Sequence, residues 1–145
     1  MELFKNLSPQ EQDKLLKFPV YIALLASNAD GAFDDIEKKS AIELTHIRSY
    51  QSKHSLSEFY KKAELVFEKN ILEIDSNLPK GKEEREIALK TALSSLEEIL
   101  EKLGYAYSKL MHESMQSFKE HVSNAHGGIL QHFIFPFPIK GITES

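Results

Sequence analysis

Four carboxylates, Asp30, Asp34, Asp35 and Glu37, fall within residues 26–37, ASNADGAFDDIE, directly behind the apolar run FPVYIALLA. Oxygens from one turn and from the start of a following helix can converge on a hard cation such as Ca²⁺ or Mg²⁺. The spacing is not that of an EF-hand loop, whose alternating ligands at the first, third and fifth positions are absent. Local structure offers a second use for the same residues. Asp34 can cap a helix, Glu37 can complete a capping box, and Asp35 suits the positive end of the helix dipole. No cap requires Asp30, which leaves it as the acid most open to a ligand.

The histidines supply a different chemistry. Glu43 and His46 form Glu-x-x-His, a spacing that carboxylate di-iron bundles use twice and that occurs here once. A single copy reads more simply as a partly buried glutamate paired with a lysine, tyrosine or histidine. Glu43, His46, His121 and His126 around one transition metal would make the chain a helical-bundle metalloenzyme, the alternative to a binding protein. His121 falls at the edge of an apolar helical face, where a hydrogen-bonded core histidine is the ordinary reading. His112-Glu113 begins like a zincin motif but continues Ser-Met-Gln, so the second histidine is missing. There is no phosphate-binding Gly-x-x-x-x-Gly-Lys loop, no Gly-x-Gly-x-x-Gly and no Gly-x-Ser-x-Gly elbow.

These residues must be held by something, and the totals point to one globular domain over residues 1–145. With no cysteine, disulfides and thiolate chemistry are excluded. A formal charge of −4, with lysines dispersed among glutamates, argues against a nucleic-acid partner. No apolar run approaches the roughly 20 residues that span a bilayer, and the first residues lack a positive n-region, so a cytoplasmic location is the default expectation.

Periodicity predicts an all-α bundle of about six helices. Ser8-Pro9-Gln10-Glu11 is a capping box that opens a helix over residues 9–17. Pro19 disfavours helical geometry at Phe18 and opens a second helix over 19–28, apolar on every side and therefore expected at the centre. A third is expected to reach residue 49, and Ser55-Leu56-Ser57-Glu58 opens a fourth ending before the loop SNLPKGK. Residues 83–103 read as one continuous helix, ended or bent at Gly104. The last helix spans 105–125 with Tyr107, Leu110, Met111, Met115, Phe118 and Val122 inward. Residues 127–145 form a non-helical tail, broken by Pro136 and Pro138 yet strongly apolar. The tail either wraps the chain's own core or makes a partner or homodimer contact.

The chain also echoes itself. Ala26-Ser27-Asn28-Ala29-Asp30-Gly31 parallels Val122-Ser123-Asn124-Ala125-His126-Gly127, each copy at a helix exit, with Asp30 exchanged for His126. Both side chains can ligate a divalent cation.

Residues 21–47, YIALLASNADGAFDDIEKKSAIELTHI, resemble the hallmark of TerB-like domains. These are bacterial all-helical modules named for tellurite resistance and related to the N-terminal domain of the DjlA co-chaperones. The hallmark is an apolar helix ending in Ala-Asp-Gly, an acidic stretch, and a glutamate early in the next helix; Ala29, Asp30, Gly31 and Glu37 match it. The resemblance implies a helical bundle with a pseudo-repeat whose two turns come near one another. It further implies a metal-responsive or calcium-binding interaction module with a protein partner. The second turn departs from the family pattern, with His126 for the acid and Phe133 where the repeat would place its glutamate. The expected cation site is thus Asp30, Asp34, Glu37 and His126, and no catalytic residue is expected.

Overall fold

The computed structural model describes residues 2–30 (Asp30 by its backbone alone), Ile47, Tyr50, residues 56–130 and Phe135. A turn of 3-10 helix at Glu2–Phe4 precedes α1 (Pro9–Leu16) and α2 (Phe18–Asp30). After these come α3 (Ser57–Asn77), α4 (Lys82–Ser95), α5 (Glu97–Glu101) and α6 (Tyr105–Ala125). Among the described residues there is no strand, and the fold is an all-α bundle. The helix expected to reach residue 49 lies outside the described residues, save for Ile47 and Tyr50, both helical and buried.

The capping box at the start of α1 forms in both directions. Glu11 N–H donates to Ser8 Oγ (3.2 Å), and Ser8 N–H donates to Glu11 Oε1 (2.9 Å). Two backbone donors that the helix cannot satisfy are thereby paired. The same glutamate also accepts from Lys102, and that side-chain bond holds its carboxyl below the usual carboxylate range.

The junction with α2 differs from the expectation at Phe18, which is helical. Lys17 keeps right-handed geometry (φ −80°, ψ −9°), and its carbonyl accepts from both Val20 and Tyr21 N–H. Pro19 then falls in the first turn of α2, where its missing N–H would have had no helical partner. Tertiary packing overrides the pre-proline preference: the buried Phe18 ring lies 5.8 Å from that of Phe118 and 6.3 Å from that of Phe135.

α2 is the axis of the bundle. Val20, Ile22, Ala23, Leu24, Leu25 and Ala26 are all buried, and of the described side chains of the helix only half-buried Tyr21 and exposed Ala29 reach water. It packs against α1, α3, α4 and α6. Burial continues into its polar last turn at Ser27 and Asn28, before Ala29 reaches the surface: Asn28 is 0% exposed, and its Nδ2 donates to Lys82 O (3.1 Å) at the start of α4.

Residues 83–103, expected as one helix, divide at Leu96 into α4 and α5. Ser95 Oγ donates to Ala92 O (2.7 Å), and Leu96 N–H bonds to Leu93 O (3.1 Å), one residue nearer than an α-helix would use. The serine hydroxyl competes for a helix carbonyl at this turn, while Leu96 itself keeps right-handed geometry (φ −72°, ψ −18°). At the far end, α6 closes in a Schellman arrangement. Gly127 takes φ +72°, its N–H bonds to Asn124 O, and Gly128 N–H bonds to Ser123 O.

A polar node sits inside the aromatic core. Tyr60 Oη lies 2.7 Å and Tyr50 Oη 3.1 Å from Ser114 Oγ, and Tyr50 Oη also donates to Ser114 O (3.0 Å). Burial, reinforced by Tyr50, pushes the Tyr60 hydroxyl well above the ordinary value of 10.0. In the unfolded chain Tyr60 ionises first, so its contribution to stability is complete below that value and lost as pH rises beyond it.

Two outcomes are expected. In urea denaturation, Leu24→Ala loses about 2–5 kcal/mol and Ser8→Ala about 1 kcal/mol. The gap between wild type and Tyr60→Phe is constant near neutrality and shifts in favour of the Phe variant above about pH 10; a gap that does not move with pH would contradict the raised ionisation of Tyr60.

Candidate functional site

The residues expected to bind a cation are only partly in view. Asp30 is the last residue of α2, and its side chain lies outside the described residues, as do Asp34, Glu37, Glu43 and His46. What is in view is the approach to Asp30. Asn28 is clamped by its amide nitrogen to Lys82 O, while its buried Oδ1 accepts no hydrogen bond from the described residues. A buried amide oxygen without a donor calls for a water or an ion.

The second half of the echo is ordered by its own turn. His126 is the half-buried C-cap of α6, and its N–H bonds to Ser123 O (3.0 Å). Ser123 is buried, and its Oγ accepts from Leu130 N–H (2.9 Å), tying the chain after the helix back to the helix. Ser27 and Ser123 are thus buried alike, whereas Asn28 is enclosed and Asn124 exposed. His121 packs its ring 5.5 Å from Tyr50 and 6.5 Å from Phe118, as an element of the aromatic core. Among the described residues no group of three or more His, Asp or Glu side chains is placed to hold a metal ion.

A concavity lined by titratable groups lies elsewhere. α5, the turn at Gly104 and the first two turns of α6 enclose a cleft of about 460 Å³, within the range of ligand sites. Gly104 makes the reversal possible by adopting φ +86°. At the cleft, His112 Nε2 and Glu97 Oε2 are 2.9 Å apart, with the imidazole buried and the carboxylate partly open. Glu101, Tyr105, Ser108 and Lys109 complete the lining. Tyr105 is 79% exposed, an aromatic ring standing at the rim.

His112 is a site residue that motif matching passes over, because its partner is Glu97, on a different helix. A periodicity signal does exist. His112 lies three residues before Met115 and a heptad before Lys119, so both flank the apolar face of α6, and both are buried. Nothing in the local pattern identifies Glu97 as the partner, since the turn at Gly104 must fold α5 against α6 first.

Lys119 lines a second, more polar concavity of about 320 Å³ with Gln116, Glu120, Ser123 and Asn124. Burial holds its amine below the ordinary lysine value, an effect that the neighbouring Glu120 partly offsets.

No protein-family model matches the chain, and no curated protein or solved structure is significantly similar to it.

A double-mutant cycle measures the His112–Glu97 link. Glu97→Gln and His112→Asn are each expected to lose about 1 kcal/mol, and the double variant less than the sum, because the bond is removed only once. Strict additivity would show that the two side chains are not energetically coupled.

Proposed function

We propose that this chain is a non-enzymatic, TerB-like interaction module that binds a protein partner, and that a divalent cation, Ca²⁺ or Mg²⁺, occupies the acidic turn after α2. The observation that carries the reading is the state of Asn28. It is enclosed at the last turn of the central helix, held by Lys82 O, and two residues before Asp30 it has a hard oxygen that accepts no hydrogen bond from the described residues. A cation that neutralises Asp30, Asp34 and Glu37 would act on a helix against which α1, α3, α4 and α6 are packed. Binding at the turn would then be felt as a change in helix placement, with no chemical step.

Three of the described titratable pairs join one element to another, which supports an interaction module. Arg85 Nη2 bonds to Asp75 Oδ1 (2.5 Å) and joins α4 to α3; His112 and Glu97 join α6 to α5; Lys102 and Glu11 join the turn after α5 to α1. Each is a brace between elements. The resemblance of residues 21–47 to TerB-like domains supports the same reading, and a role in tellurite or stress resistance belongs to it on that ground alone.

Isothermal titration with Ca²⁺, Mg²⁺, Mn²⁺ and Zn²⁺ tests the cation. Saturable binding of Ca²⁺ or Mg²⁺ below millimolar concentration is expected, weakened at least tenfold in Asp30→Asn because a charged hard ligand is lost. If none binds in that range, the acidic turn is a helix cap or a protein contact.

A further inference from the structure

The cleft between α5 and α6 has a chemistry of its own. Glu97 and Glu101 are separated by one helical turn, so their carboxylates lie along one side of α5. His112 takes one oxygen of Glu97 and thereby restrains that side chain, leaving Oε1 without a hydrogen-bond partner among the described residues. Glu101 likewise has no side-chain partner among them. Among the described residues Lys109 is the lining's one lysine, so two carboxylates face one ammonium there and the balance is acidic. The lining also includes the exposed Tyr105, uncovered in a fold that buries most of its described aromatic side chains.

Two carboxylate oxygens on one wall and an aromatic face at the rim suit a cation that is planar, carries several N–H donors and stacks on rings. A guanidinium meets all three conditions, whereas an ammonium is a compact, strongly hydrated point charge that neither spans two carboxylates nor stacks flat. Aromatic rings at the rim of a cleft are also common anchors of protein interfaces.

We propose that this cleft receives an arginine side chain presented by a protein partner, the guanidinium set against Glu101 and the open oxygen of Glu97 and its plane against the ring of Tyr105. The inference rests on the interaction-module reading only in having the arginine arrive on a protein. The cleft itself is independent of any cation at the turn after α2.

The test is an NMR titration of the full chain with N-acetyl-arginine amide, in EDTA so that divalent cations play no part. N-acetyl-lysine amide and N-acetyl-citrulline amide serve as comparisons. Saturable shifts of the Glu101, Tyr105 and Ser108 amides are expected with arginine, smaller ones with lysine and none with the uncharged citrulline. Glu101→Gln and Tyr105→Ala alter exposed residues and leave the fold intact, and each should weaken arginine binding about two- to fivefold, as expected for partly exposed contacts. Any one of three results overturns the proposal: no saturable shift with arginine, an equal response to lysine or citrulline, or an affinity unchanged in Glu101→Gln. Because the probe is an isolated capped amino acid in chelator, such a failure leaves the cation titration to stand or fall separately.

Discussion

α2 has no polar face, and the placement of the other helices depends on that. A helix apolar on one stripe needs one wall; a helix apolar all round must be enclosed. Here α1, α3, α4 and α6 provide the enclosure, and the residues at their contact surfaces are the apolar ones. The burial of Leu24, Leu25 and Ala26 continues through Ser27 and Asn28, so two polar side chains near the end of the helix are drawn into the interior with the rest. That is why the Asn28 amide must find Lys82 O: a buried donor without an acceptor would cost about 1–3 kcal/mol.

Enclosing one helix with several others leaves seams, and the buried polar groups lie in those seams. The Tyr50–Tyr60–Ser114 node joins α6, α3 and the helical segment at Tyr50. Arg85 reaches both Asp75 and Pro79 O, holding the loop between α3 and α4 while its guanidinium is nearly covered. Such pairs repay little net stability once desolvation is counted, but a packing that separates the partners leaves a buried charge or hydroxyl unmet. Their effect is to disfavour alternative arrangements of helices whose apolar faces are otherwise interchangeable.

The last turn of α2 and the cleft beyond α5 are connected through packed elements. Asn28 abuts the first residue of α4, α4 runs to the joint at Leu96, and the next residue, Glu97, carries the carboxylate bonded to His112. The braces at Arg85, His112 and Lys102 tie neighbouring elements together, so a partner seated at the cleft would meet a pre-ordered surface, which lowers the entropic cost of binding.

The helices are legible in the sequence because their signals are local. The Ser8–Glu11 capping box, the apolar run of α2, the boundaries of α6 at Gly104 and Gly127, and the inward set Met111, Met115, Phe118 and Val122 all depend on spacing along one chain segment. The local rule fails at Phe18 and Leu96, where a nonlocal or side-chain interaction outweighs it: aromatic packing draws Phe18 into the helix, and the Ser95 hydroxyl breaks a continuous apolar pattern. The acidic turn is visible as a candidate from composition alone, whereas the cleft is not. His112 and Glu97 are fifteen residues apart and belong to different helices. Periodicity specifies which face of a helix turns inward, because that depends on a fixed angle per residue. Which polar residues then meet across a seam depends on how two helices cross, and that is decided only when the whole bundle closes around α2.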